Sequence, residues 1–418
     1  MGFPVTQNKA DAYNVEDRNV LYFCVGCSEE IVMIYLDNGA TSYPKPRIML
    51  AAMEECILRY CGNPGRSGHQ MSMRTGEEVY HARRKLAAFF GVEKAEQIVF
   101  TKNTTEAINL GLKGILRPGD HVITSSMEHN SVLRPLKTLE KSGIEQSVIR
   151  ADREGLITAA DIEKTIRPNT KLIVVTAASN VTGGRMPLLE IGTLAKKRGI
   201  LFMVDGAQGA GCMPIDVQRM HIDLLAFPGH KGLLGPLGTG GLYTAPYIAL
   251  QPLLAGGTGT ESKSRVQPCE FPEGFEAGTI NAPGIIGLGY STEFVSKIGV
   301  DVIAQYEEEL ITYLDDRLDR TPGVVRYGPP ACRKTGITLF NIEGIPAEEV
   351  TAQLNANYGI AVRGGYHCAG LAHKTIGTWE QGGVRVSVGP FTTRAQIEKL
   401  ADAVLQISSR QMRQNKLR

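Results

Sequence analysis

The segment VRGGYHCAGLAHK, residues 362–374, sets one cysteine, Cys368, directly after His367 and close to Arg363. Glycine, histidine and arginine make poor core neighbours for a thiol, and both Arg363 and His367 are placed to favour the thiolate. Cys368 therefore reads as a nucleophile. A second nucleophile is Lys231, in LLAFPGHKGLLGPLGTGG, the last charge before a stretch (232–260) that carries none. An amine held among apolar groups has a lowered pKa and becomes reactive. In MVDGAQGAG an apolar run ends on Asp205, with Gln208 three residues later. A carboxylate at that depth needs a cationic or protonated partner. His129, in SSMEHNSVL, lies just past another apolar run, where a flat ring can rest on a ligand face. In FTKNTTEAINLGLKG, Asn103 is placed to cap a helix with Glu106 three residues on. The hydroxyls and amides of Thr104 and Thr105 would then face an anion at the helix N-terminus.

Each residue alone has a plainer reading: an inert thiol, a solvated lysine, a satisfied buried acid, a core histidine, a simple capping box. One ligand accounts for all of them. Pyridoxal 5'-phosphate needs a lysine for its Schiff base, an acid for its pyridinium nitrogen and a cradle for its phosphate. Lys231, Asp205 and the Asn103–Thr105 turn supply these respectively. A nucleotide-binding module built on GPLGTGG is the competing idea, but that segment fits neither GxGxxG nor a Walker spacing.

YLDNGATSYPKP, GNPGRSGHQMS, NTTEAIN, EHNS, ASNVTGG, VDGAQ, PGHKG, FEAGTIN and RGGYHCAG follow one another from Tyr35 toward the end of the chain. This ordered series resembles the class V aminotransferase group, specifically the cysteine desulfurases and selenocysteine lyases. The resemblance implies an α/β fold of the type I pyridoxal-phosphate class, with a mainly parallel seven-stranded sheet and a small α+β C-terminal domain. It implies that Thr105, His230 and Thr279 hold the phosphate, Thr279 coming from the partner subunit of a homodimer with shared sites. Gln208 would contact the ring's phenolic oxygen and His129 would stack on the ring. Asn180 and Arg385, with Arg363, would bind the substrate carboxylate. Cys368 falls where the shorter-loop branch of the family carries its sulfur-accepting cysteine. The implied reaction takes L-cysteine to L-alanine and leaves a persulfide on Cys368 for a small thiol or a carrier protein. L-selenocysteine is the alternative substrate and transamination the alternative reaction. Two positions depart from the commoner pattern: Pro228 stands where a serine usually precedes GHK, and Gly39 replaces an alanine.

The elements that must position these residues are legible as well. QIVFT, HVITSS, KLIVVTAAS, ILFMVDGA and DLLAFPG are near-continuous apolar runs separated by helical periodicity, as strands buried on both faces of a parallel sheet should be. Four of the candidate residues directly follow such runs, where open α/β sheets bind ligands. Residues 33–290 read as a large cofactor-binding domain and 291–418 as a smaller α+β domain with strands in GITLFNIEG, IAVRGG and VRVSVGP. Residues 1–32 read either as an extension, a disordered arm, or as an over-long start before Met33. The charge-free stretch 232–260 holds many glycines and three prolines, which predicts buried loops and a hairpin rather than a membrane span.

The chain has 418 residues, 43% of them hydrophobic, and 45 Lys and Arg against 43 Asp and Glu. A formal charge of +2 offers no field for nucleic acid or acidic lipid and favours a small-molecule ligand. Eight irregularly spaced cysteines make no disulfide framework, which points to a reducing cytoplasm. Cys24 and Cys27 form a lone CxxC without a second ligand pair, so no metal is expected.

Overall fold

The computed structural model describes residues 33–65 and 67–416. Residues 1–32, with the Cys24/Cys27 pair, and Arg66 lie outside the described residues. Among the described residues twelve strands are formed: β1 Ile34–Tyr35, β2 Ile98–Thr101, β3 His121–Ser125, β4 Glu145–Ile149, β5 Thr170–Thr176, β6 Leu201–Asp205, β7 Leu224–Pro228, β8 Gly240–Thr244, β9 Val324–Tyr327, β10 Ile337–Ile342, β11 Ile360–Ala361 and β12 Val384–Ser387.

Seven of them make the main sheet, in the order β2-β8-β7-β6-β5-β3-β4. Only β8 runs against the rest, so the sheet is mainly parallel as the apolar runs predict. Its central strands are buried on both faces, and Leu172–Val175, Phe202–Val204 and Leu224–Phe227 are wholly shielded from solvent. Helices Thr104–Ile115 and Leu188–Arg198 are among those packed against it.

Two strands escape the apolar-run pattern. Edge strand β4, EQSVI, is half exposed along its length, so only one side of it needs apolar residues. Strand β8, GGLYT, lies in the charge-free stretch and pairs antiparallel with β7, as the hairpin reading requires. Its glycines are demanded by packing: a Cβ at Gly241 would meet the Phe227 ring at 2.4 Å.

A second core gathers Leu310, Leu314, Phe340, Val350, Val386 and Val404 around the three-stranded antiparallel sheet β12-β10-β9. Ile34 and Leu36 are buried in this core too, and β1 pairs in parallel with β11. The next residues, 37–45, cross to the main sheet. Asp37 meets Arg385, Asn38 donates to the Ser387 carbonyl, and Thr41, Ser42 and Lys45 all converge on the His230 carbonyl. Gly39 is needed at the crossing, because a methyl there would stand 3.3 Å from the Arg385 guanidinium carbon and 3.2 Å from Ser387 Oγ. Among the described residues no helix is long and apolar enough to cross a membrane.

Candidate active site

The carboxyl edge of the main sheet opens on a cavity of about 240 Å³. Residues that follow β2, β3, β5, β6 and β7 line it, together with residues 39–40 and the Arg363 and Arg385 region. Thr104, Thr105, His129, Asn180, Asp205, Gln208, His230, Lys231, Arg363, His367 and Arg385 all reach this one space. Thr279 does not, and Cys368 lies in an adjoining outer groove of about 380 Å³ that shares Thr105, His129 and Ser131 with the cavity.

The helix cap forms as the capping residues require. Asn103 caps helix Thr104–Ile115 by accepting from the Glu106 amide at 2.9 Å, and Glu106 accepts from the Lys102 amide at 2.6 Å. The amides of Thr104 and Thr105 open the first turn and have no intrahelical partner. The Thr105 hydroxyl pairs with Ser131 Oγ at 2.8 Å, and Ser131 Oγ stands 2.7 Å from His129 Nδ1. The Ser131 amide also donates to that nitrogen at 3.0 Å. Since an amide can only donate, Nδ1 is an acceptor and the neutral ring carries its proton on Nε2. Burial, with Lys231 nearby, lowers the His129 pKa to about 4, so this tautomer is the working one. Ser131 had no separate signal in the sequence beyond its place in EHNS.

On the floor, Asp205 Oδ1 accepts from the Ala207 amide at 2.9 Å. Burial raises its pKa, while Ala207 and Lys231 oppose the rise. Beneath it lies Glu128, wholly buried, with Ser125 Oγ donating to it at 2.5 Å. Burial pushes Glu128 to about 8, so it sits beside Asp205 as a neutral acid at neutral pH. An acid at the end of a buried run is the same signal that identifies Asp205, and it was legible at Glu128 also.

Lys231 follows β7. Burial lowers its pKa to about 8, reinforced by Arg385 and opposed by Asp205. His230 is likewise depressed, to about 4, by burial and by Lys231, and its Nδ1 is buried without a hydrogen-bond partner. Pro228 ends β7 two residues beyond the last β6 pair, at Ala226, so its missing amide breaks no ladder on that side. Gln208 Nε2 donates to the Gly39 carbonyl at 2.9 Å.

The opposite wall is an arginine network. Arg385 is 1% exposed and donates to Asp37 Oδ1 at 2.7 Å and to the Asn180 carbonyl at 3.0 Å, leaving Nε buried without a partner. Arg363 and Arg385 exchange backbone bonds of 3.2 and 2.8 Å. Arg363 Nη2 lies 3.8 Å from Cys368 Sγ. His367 departs from expectation. It is buried, its ring turns inward to Arg363 O and His373, and burial lowers its pKa to about 3. It is therefore neutral, and of the two expected cationic neighbours only Arg363 brings positive charge to the thiol. Among the described residues no cluster of histidine, cysteine and carboxylate side chains is arranged to hold a metal ion.

Thr279 is exposed on a loop fixed at both ends. Glu276 makes a buried ion pair with Arg83 at 2.7 Å and accepts from the Phe100 amide at 2.6 Å. Asn281 caps helix Ala282–Ile298 through the Gly284 amide.

Comparison with known proteins identifies the family. The family model described as Aminotransferase class-V matches residues 34–400. The chain is 37% identical over 382 residues to a probable cysteine desulfurase of Methanothermobacter thermautotrophicus, covering 90% of this chain and 94% of that one. It is 34% identical over 387 residues to a cysteine desulfurase of Shigella sonnei, covering 90% and 93%. The apo structure of cysteine desulfurase from Thermococcus onnurineus NA1 superposes with a TM-score of 0.85 at 36% identity, covering 90% of this chain and 95% of that one. Fold, site and likeness converge: the chain belongs to the class-V aminotransferase family, among its cysteine desulfurases.

Proposed function

We propose that the protein is a pyridoxal-phosphate-dependent cysteine desulfurase that moves the sulfur of L-cysteine onto Cys368 and releases L-alanine. The observation that carries this reading is the pairing of a low-pKa, half-buried amine, Lys231, with an exposed thiol, Cys368, on two spaces that share Thr105, His129 and Ser131.

The cavity fits the cofactor on its own chemistry. Asp205 offers a buried acid, Lys231 an amine, the first turn of helix Thr104–Ile115 two unpaired amides, and His230 Nδ1 a buried nitrogen without a partner. When bound, pyridoxal phosphate supplies an electron sink that labilises the Cα–H bond and then the Cβ–S bond of an amino acid. Asp205 would hold a proton at the ring nitrogen, and Thr104, Thr105 and His230 would hold the phosphate. Lys231 Nζ, poised near neutral pH, takes the α-proton and returns one to carbon. Arg385, with Nε uncommitted, and Arg363 orient the substrate carboxylate. Arg363 also stands against the Cys368 thiolate, which attacks the substrate sulfur. One S–S bond forms, the Cβ–S bond breaks with its electron pair going to carbon, and a proton completes the methyl group of alanine.

Two further features support a homodimer with shared sites. The Thr279 loop is anchored by Glu276 and Asn281 yet turns Thr279 away from its own cavity. Leu50, Ile57, Leu58, Met71 and Met73 form an exposed apolar set on helices Arg47–Arg59 and Gln70–Phe90, which a second subunit would cover. A thiol used as a reagent suits a reducing cytoplasm, and the six described cysteines are all free.

The test is direct. Purified protein should be yellow, the colour should depend on Lys231, and L-cysteine should yield alanine. Cys368→Ala should abolish desulfuration; an unchanged rate would leave transamination as the reading, and no alanine from cysteine or selenocysteine would remove both substrates.

A further inference from the structure

Behind the Cys368 turn lies a row of buried polar groups that the reaction itself does not use. His367 and His373 are 2% and 0% exposed, and Thr378 is wholly buried. His367 Nε2 stands 3.0 Å from the Arg363 carbonyl, His367 Nδ1 stands 3.2 Å from His373 Nε2, and His373 Nδ1 stands 2.7 Å from Thr378 Oγ1.

The direction of every proton follows from the first contact. A carbonyl only accepts, so His367 Nε2 carries a hydrogen and, in a neutral ring, Nδ1 is bare. His373 Nε2 must then be the donor to His367, which leaves His373 Nδ1 bare. That nitrogen takes the Thr378 hydroxyl proton. The row has one consistent arrangement, running Thr378 to His373 to His367 to Arg363 O. The Arg363 carbonyl accepts a second bond, from the Arg385 amide at 2.8 Å, so the row ends on a fixed point of the active-site wall.

The row supports an unfavourable piece of backbone. His367 and Cys368 are successive non-glycine residues in the left-handed region, with φ of 53° and 57°. Such a pair persists only where its surroundings hold it. Asn180 and the Asn130 amide hold the carbonyls of His367 and Cys368, at 2.7 and 2.9 Å. The His367 ring is held from the other side by His373.

We propose that His373 and Thr378 are positioning residues for Cys368: their one-way hydrogen-bond chain through His367 locks the left-handed turn and so keeps the thiol beside Arg363. This rests on Cys368 being the sulfur acceptor for its catalytic meaning, but its structural content can be tested apart from that.

Thr378→Val keeps the shape and removes the first donor. His373 Nδ1 is then left without a donor, and no tautomer change can relieve it, since a protonated Nδ1 would meet the same methyl group and would turn the lone pair of His367 Nε2 toward the Arg363 carbonyl. Thr378→Ser restores the donor. In the full-length holoenzyme, histidine nitrogen NMR should show His367 and His373 both protonated on Nε2; Thr378→Val should keep these tautomers, which the Arg363 carbonyl fixes, but move the His373 Nδ1 resonance as it loses its donor, and Thr378→Ser should restore it. Site-resolved mass spectrometry after iodoacetamide should show Cys368 alkylation changed on the order of fivefold in Thr378→Val, as expected for one lost buried hydrogen bond, and normal in Thr378→Ser. Desulfuration should lose kcat by a similar factor with KM for cysteine unchanged. His373→Leu should reproduce the valine variant if it folds. An unmoved His373 Nδ1 resonance and wild-type Cys368 alkylation in Thr378→Val would overturn the proposal, whether or not Cys368 is the sulfur acceptor.

Discussion

Asn180 donates its side-chain amide to the carbonyl oxygen of His367 at 2.7 Å, joining the loop after β5 to the turn that carries the thiol. The residue expected to grip the substrate carboxylate is thus also a fastener of the Cys368 segment. Asn180→Ala should lower kcat for desulfuration roughly tenfold, the cost of leaving one buried carbonyl unpaired. Asn180→Asp should be worse, since it places an acceptor against an acceptor. Steady-state rates of the two variants check the order; an aspartate variant more active than the alanine one would contradict it.

The Lys231 amine should titrate well below a surface lysine. Its pKa is lowered to about 8, so with the cofactor removed its acylation should rise through a midpoint near pH 8. The folded state prefers the neutral amine, and the lysine therefore costs stability below pH 8 and ceases to do so as pH rises toward the usual lysine value. Lys231→Met should stabilise the apo protein at pH 7 and show a smaller advantage at pH 10. Site-resolved labelling and thermal melts at several pH values measure both effects.

Glu307 makes the mirror-image prediction. Burial raises its pKa to about 8, against Gly336 whose Cβ position would lie 2.7 Å from Oε2. The folded state prefers the protonated acid, so Glu307 is harmless at pH 4 and progressively destabilising between pH 4.5 and pH 8. Glu307→Gln should match wild type in acid and exceed it at pH 8 by up to about 4 kcal/mol. Denaturant titrations at pH 5 and pH 8 decide it, and a pH-independent difference would rule out the buried neutral acid.

Sulfur release should limit turnover when no acceptor is present. The Cys368 carbonyl is tied to the Asn130 amide and Ala369 is buried, so the thiol cannot swing outward on a long arm. The acceptor must come to the groove. A reductant or carrier protein should raise kcat without lowering KM for cysteine, and trapped enzyme should show a Cys368 persulfide by mass spectrometry. An unmodified Cys368 during acceptor-free turnover is the adverse result.

Much of this molecule could be read from its sequence because its central strands are buried on both faces and therefore written as unbroken apolar runs. β4 was hidden by its exposed edge, and β8 by glycines that Phe227 and the neighbouring backbone require. Asp205 and Lys231, each a charge set at or just past an apolar run, are legible as candidates one by one. Asp37 and Ser131 are not, since their contacts with Arg385 and Thr105 join distant segments. His367 shows the same limit: adjacency to Cys368 suggests a neighbour that favours the thiolate, whereas burial keeps its ring neutral and turned inward.

Residues 34–45 touch both halves of the machinery. They begin as a strand beside Ile360–Ala361, pass Arg385 and Ser387, and finish with three side chains on the carbonyl next to Lys231. Mechanically this is a short inextensible tether between the body that carries the thiol and the turn that carries the amine. Any displacement of one must stretch the tether or drag the other with it, so this segment joins the Asn130 and Asn180 fastenings in giving the two reagents a single frame of reference.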